Sequence, residues 1–172
     1  MNDVIKNMID RRSIRKYRDE QIKDEQLEYI LVAGEYAASG KGKQATLMVV
    51  VQDPETIALM SRLNAEILGA DVDPFYGAPT VIVVFADSER PTCVEDGSLV
   101  IGNMMLAAAS LDVDSCWIHR ARQTFETEEG KALMDKWGIP EIYIGVGNCI
   151  LGYREGELPS PPPRKEGRII RP

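Results

Sequence analysis

Apolar positions recur at helical spacing from the first residues of the chain. Val4, Ile5, Met8 and Ile9 form one stripe, predicting a helix over residues 3–11 that Asn2 or Asp3 caps. A second helix, capped by Asp24, turns Leu27, Ile30, Leu31 and Ala37 inward and stops at the turn-prone Ser39, Gly40, Lys41 and Gly42. The period then changes. Thr46 to Val51 is rich in β-branched residues and is expected to be a buried strand. Asp53 before Pro54 marks a helix start, because the carboxylate accepts free N–H groups while proline sits in the first turn without loss, and Ile57, Met60, Leu63 and Ile67 give that helix its apolar face. Ala78 to Ala86 is a continuous apolar strand, and Leu99 to Leu111 is apolar on nearly every side, as a central helix must be. A short strand over Ser115 to His119, a helix over Thr127 to Trp137 closed by Gly138 and Pro140, and a long strand over Ile142 to Tyr153 complete the pattern.

Strands alternating with helices predict an α/β fold of the α+β layered type, a central sheet flanked by helices. The last segment, residues 154–172, is different. Pro159, Pro161, Pro162 and Pro163 forbid a regular element, and the extended segment reaches about 60 Å. A tail of that length with no core of its own is expected to wrap around something, a second subunit included. The 172 residues fit a single domain, 1–172, with 154–172 as its tail.

The N-terminal segment has no apolar stretch of signal-peptide type, and no apolar run approaches the roughly 18 residues of a membrane span, so a cytoplasmic protein with no membrane partner is expected. Cys93, Cys116 and Cys149 are odd in number and widely spaced, suggesting neither a disulfide framework nor a metal site. Net charge is −7, yet nine of the 20 Lys and Arg residues fall in two windows, Arg11 to Arg18 and Arg164 to Arg171, where even scatter would place about two. Each window is either a solvated basic face or the seat of an anion.

The segment Arg11, Arg12, Ser13, Ile14, Arg15, Lys16, Tyr17 has the composition of a phosphate site: guanidinium groups form paired charge-assisted hydrogen bonds to phosphate, and a serine hydroxyl adds a donor. The spaced glycines of a P-loop or dinucleotide fingerprint are missing, as are G-x-S-x-G and H-E-x-x-H, so nucleoside triphosphate, hydrolase and zinc chemistry have no support.

Five pieces in order resemble the FMN-dependent nitroreductases: Arg11, Arg12, Ser13 and Arg15 after the first helix; Ala37 to Gln44 after the second; Asp96 to Ala109 with its internal Asn103; Ser115 to Arg120; and Pro161 to Lys165. The resemblance implies a nitroreductase-like fold and a homodimer with FMN near the interface and the tail extending onto the partner subunit. It implies that Arg11, Ser13 and Arg15, with one or both of Arg164 and Lys165, hold the phosphate and pyrimidine edge, and that Arg12 belongs to the same cofactor-binding set. Ser39 and Gln44 would contact the ring or ribityl chain, and Trp117, Ile118, His119 and Arg120 would form the loop facing flavin N5. NAD(P)H would be the hydride donor, and a nitroaromatic, quinone or similar small molecule the acceptor. Departures from the family pattern are Ala38 in place of proline, Gly42 in place of asparagine, and His119 with Arg120 where glycines or an acid are common.

Blander readings stand beside these. His119, the single histidine, is either structural or the one candidate catalytic side chain, and Asn103 either bonds neighbouring backbone or touches flavin. Two other functions use the same basic windows: a flavin-binding or redox-sensing protein without turnover, and an anionic-ligand or nucleic-acid binding module. The acidic total charge and the lack of aromatics beyond Tyr17 in the basic segments argue against nucleic acid.

Overall fold

A computed structural model describes all 172 residues. The helices are α1 (Asp3–Asp10), α2 (Asp24–Glu35), α3 (Pro54–Leu68), α4 (Cys93–Ser110), α5 (Ala121–Glu126) and α6 (Glu128–Trp137), and the strands are β1 (Thr46–Val51), β2 (Thr80–Asp87), β3 (Asp114–Ile118) and β4 (Tyr143–Gly152). The four strands form one antiparallel sheet in the order β1-β2-β4-β3.

The sheet has an apolar layer on each face. One layer gathers Ile14, Tyr17, Met60, Phe75, Phe85, Phe125 and Met134 on the side of α3, α5 and α6; the other gathers Ile30, Ile82, Val100, Ile101, Met104 and Cys149 under α2 and α4. With helices on both faces, β2 is buried along its whole length, which is why it reads as an uninterrupted apolar run rather than an alternation. The β1 strand, expected to be buried, is instead an edge strand that pairs only with β2 and is mostly half-buried.

Local chemistry sets the helix ends. Asp53 caps α3 by accepting from the Thr56 N–H at 2.9 Å, with Pro54 following, and Thr127 caps α6 by accepting from the Gly130 N–H at 3.0 Å. Asn2 caps α1. At α2 the cap is Lys23, and Asp24 is the first helical residue; the Lys23 N–H donates to Gln26 Oε1 at 3.2 Å. The α5 helix was not expected from the sequence, since among its six residues Ala121, Thr124 and Phe125 are buried and no long stripe announces it.

The outward face of α1 is the anomaly of the fold. No residue of α1 is buried, and Val4, Ile5, Met8 and Ile9 are about half exposed or more, although the helix is fastened to α4 by Asn7 Nδ2 donating to the Leu106 carbonyl at 2.8 Å. Tyr29, Val32 and Tyr36 on α2 and Ile169 and Ile170 in the tail are likewise exposed. No helix is long and apolar enough to cross a membrane.

The three cysteines are unpaired. Burial raises the Cys116 thiol pKa and pushes that of Cys149 up to about 12, so both stay protonated at neutral pH. Alkylation of the native protein at neutral pH is expected to spare Cys116 and Cys149 and to reach them only after denaturation. Mass spectrometry of the labelled peptides checks this, and native labelling of either residue would contradict the burial described.

Candidate functional site

Arg11 is where the chain leaves α1. Its backbone turns out of the helix (φ −54°, ψ 135°) while its N–H still donates to the Asn7 carbonyl at 3.0 Å. The two adjacent guanidinium groups then have different fates. Arg12 Nη1 donates to the carbonyls of Ile9 and Arg11 at 2.6 and 2.7 Å, and Arg12 Nε to that of Pro159 at 3.2 Å, so Arg12 closes the negative end of the helix and ties down the start of the tail. Arg11 Nη1 is buried and has no partner.

The next residues join the sheet. Ser13 forms a parallel bridge with Ser115 at the start of β3, and the Ile14 N–H donates to the Ser115 carbonyl at 3.1 Å. Ser115 Oγ is buried and also unpartnered. Burial raises the Cys116 thiol pKa, and Arg15, Ser13 and Arg11 oppose that rise. A cavity of about 410 Å³ opens there between α1, the end of α4 and β3; its wall mixes the cations Lys6, Arg11, Arg12 and Arg154 with the carboxylates Asp3, Asp10, Asp112 and Asp114, and Ser115 lies in it beside Arg11. Asp114 at its edge is paired with Arg154 at 3.1 Å.

The far end of β3 carries the second group of expected residues. From Ser115 to His119 the strand advances about 13 Å. Trp117 is half-buried and packs on the α4 side; its indole is so close to Gly147 that a Cβ there would lie 2.8 Å from the ring. The chain then turns sharply: Arg120 is left-handed (φ 71°, ψ 13°) and opens α5. For a residue with a Cβ this costs about 1–2 kcal/mol. Two asparagines secure the turn. Asn148 Nδ2 donates to the Ile118 carbonyl at 3.3 Å, Asn64 Nδ2 to the His119 carbonyl at 2.8 Å, and Arg120 Nε donates to Asn64 Oδ1 at 3.0 Å. The His119 side chain is exposed, and neither the His119 nor the Arg120 N–H is bonded within the chain.

The sequence reading missed both asparagines. The available signal was a polar amide inside each of two apolar patterns, beside Met60 and Leu63 in α3 and between Val146 and Ile150 in β4.

Ser39 and Gln44 lie elsewhere. Ser39 Oγ accepts from the Gln44 N–H at 3.0 Å across a strained turn in which Lys41 and Gln44 have φ of 53° and 50°. The Gly40 N–H donates to the Asp96 carboxylate, at 3.0 and 3.1 Å to its two oxygens, and a Cβ at Gly40 would lie 2.3 Å from Thr92 Oγ1. This anchors residues 39–44 to the first turn of α4, whereas Arg11 lies at the last turn. The 13 helical steps of α4 from Asp96 to Ala109 separate the two by about 20 Å. Within one chain they do not converge.

Asn103 Nδ2 donates to the Ala33 carbonyl at 2.9 Å and joins α4 to α2. Arg164 and Lys165 are exposed on the extended tail and make no hydrogen bond or ion pair within the chain. A wider cavity of about 1080 Å³, between α3 and residues 69–79, contains none of the expected site residues.

The sequence pattern of the nitroreductase family matches residues 8–153. A protein of Archaeoglobus fulgidus, provisionally named NADH dehydrogenase/NAD(P)H nitroreductase, is 36% identical over 163 residues, covering 91% of this chain and 88% of that one. An FMN reductase [NAD(P)H] of Bacillus subtilis is 43% identical over 91 residues, 52% of this chain and 34% of that protein. Among solved structures, a nitroreductase with bound FMN from Bacteroides fragilis superposes with a TM-score of 0.91 at 30% identity over 99% of both chains.

Proposed function

The chain belongs to the nitroreductase family, and from that premise we propose that it works as a homodimer in which FMN, reduced by NAD(P)H, passes electrons to a small nitroaromatic or quinone acceptor. It is an FMN-dependent NAD(P)H oxidoreductase. The observation that carries the site assignment is Arg11, a buried and unpartnered guanidinium nitrogen beside the equally unpartnered Ser115 hydroxyl. A buried cationic donor without an acceptor is costly, and the phosphate of FMN is the anion that fits it.

Arg11, Ser13 and Arg15 hold the phosphate end at the start of β3. Arg12 sets the direction of Arg11 by closing α1 with its own guanidinium. The turn at 118–120, about 13 Å along the strand, presents the His119 and Arg120 N–H groups to the ring. Bound FMN supplies the two-electron chemistry by accepting hydride at N5, so the protein needs no side-chain acid or base there, and the exposed His119 is left to contact nicotinamide or acceptor. Ser39 and Gln44, too far from Arg11 in their own chain, reach the flavin of the partner subunit, and the tail carries Arg164 and Lys165 across the same interface. The three unpaired thiols suit a cytoplasmic setting.

The purified protein is expected to be yellow, to release FMN and not FAD on heating, and to oxidise NAD(P)H when an acceptor is added. Chromatography of the released cofactor and steady-state absorbance measure these. A colourless protein that takes up no added FMN would refute the assignment.

A further inference from the structure

Asn64 is completely buried on α3, amid side chains that offer it no polar partner other than the turn after β3. An amide there is costly unless both ends are bonded. Both are: its N–H₂ to the His119 carbonyl and its oxygen to Arg120 Nε. Asn148, equally buried, holds the preceding carbonyl, that of Ile118.

A trans peptide is planar, with its C=O and the N–H of the next residue pointing in opposite directions. Drawing the Ile118 carbonyl toward Asn148 therefore aims the His119 N–H the other way, and drawing the His119 carbonyl toward Asn64 aims the Arg120 N–H the other way. Neither of these two N–H groups is bonded within the chain. The left-handed conformation of Arg120 belongs to the same arrangement, since Arg120 lacks the freedom of glycine at positive φ and is held there through its guanidinium.

We infer that Asn64, with Asn148 beside it, is a positioning residue: it fixes the 118–120 turn so that backbone N–H groups face the flavin and bond N5. The inference rests on the FMN reading above. It explains how this chain, with His119 and Arg120 in the turn, keeps a backbone geometry that glycine adopts freely: the partner for the strained residue comes from a distant helix.

The test uses the full-length holoprotein. Asn64→Ala removes both bonds; Asn64→Asp keeps the acceptor for Arg120, loses the donor to His119 and preserves side-chain volume. Arg120→Gly, combined with Asn64→Ala, restores access to positive φ without the asparagine. The readouts are the midpoint potential of bound flavin, the FMN dissociation constant and the melting temperature. A donor to N5 bonds oxidised flavin but not reduced flavin, whose N5 carries hydrogen. Losing it weakens the oxidised complex selectively and moves the potential positive, by about 30 mV for a tenfold change in relative affinity. Asn64→Ala and Asn64→Asp are expected to show that shift, and Asn64→Ala with Arg120→Gly to recover most of it. A lowered melting temperature with an unchanged potential overturns the inference, leaving Asn64 a packing residue. If Asn64→Ala does not fold, Asn64→Asp is judged by the same criterion. A wild-type protein that takes up no FMN fails earlier, and refutes the functional reading rather than the role of Asn64 alone.

Discussion

Arg11→Ala is expected to raise the FMN dissociation constant ten- to a hundredfold, equivalent to about 1.4 to 2.8 kcal/mol, while turnover returns at saturating FMN. Arg11 is half-buried, and its Nη1 is already shielded from water and unpartnered in the free protein, so a phosphate gains from a donor whose desolvation is partly complete. The phosphate lies far from the reacting N5 and keeps its charge throughout, so Arg11 stabilises ground and transition states almost equally and should affect binding rather than kcat. Arg12→Ala provides the contrast. Its guanidinium serves the Ile9, Arg11 and Pro159 carbonyls, so its removal should loosen the α1 terminus and the tail and have a smaller effect on FMN. Fluorescence titration of both variants, followed by NAD(P)H oxidation at saturating FMN, separates the roles. Normal FMN affinity with lost turnover in Arg11→Ala would remove the N-terminal arginines from the phosphate.

That contrast also marks how far the sequence could be read. Elements with strong local signals were legible: Asp53 and Pro54 opening α3, Thr127 opening α6, and the continuous apolar run of β2. The Arg11 to Arg15 window was legible as phosphate chemistry because residue types alone suggest it. Which guanidinium closes the helix and which keeps an unpartnered nitrogen was not, since Arg11 and Arg12 are adjacent and identical, and only the helix carbonyls decide between them. Spacing along the chain likewise could not show that Ser39 and Gln44 stand at one end of α4 and Arg11 at the other. The β1 strand looked buried because β-branched composition is the same for an edge strand with one covered face. Asn64 was passed over because an amide within an apolar stripe acquires meaning only through the carbonyl it meets 55 residues later.

The separation along α4 leads to the second large effect. If one chain supplies Arg11 and the 118–120 turn while its partner supplies residues 39–44, an interface mutation should cost FMN binding without touching a cofactor residue. Met8 is suited to this, since it is 52% exposed in the chain alone, lies in the outward stripe with Val4, Ile5 and Ile9, and belongs to a helix with no buried residue. A stripe of four large apolar side chains on a surface helix marks an interaction face. A carboxylate placed there by Met8→Asp would lose its hydration among the apolar side chains of the stripe on association, a penalty applied twice in a symmetric dimer. Sedimentation should show Met8→Asp as a monomer at concentrations where the wild type is dimeric. Its FMN affinity should fall at least tenfold and recover partly with rising protein concentration, because a ligand that binds only the dimer pulls association with it. Far-UV circular dichroism should remain close to wild type, since the substitution leaves both core layers intact. A Met8→Asp protein that stays dimeric and keeps its flavin would place the interface elsewhere. A monomer that binds FMN as tightly as the wild type would show that residues 39–44 of the partner contribute nothing to the site, and that Arg11, Ser13 and the asparagine-held turn suffice within one chain.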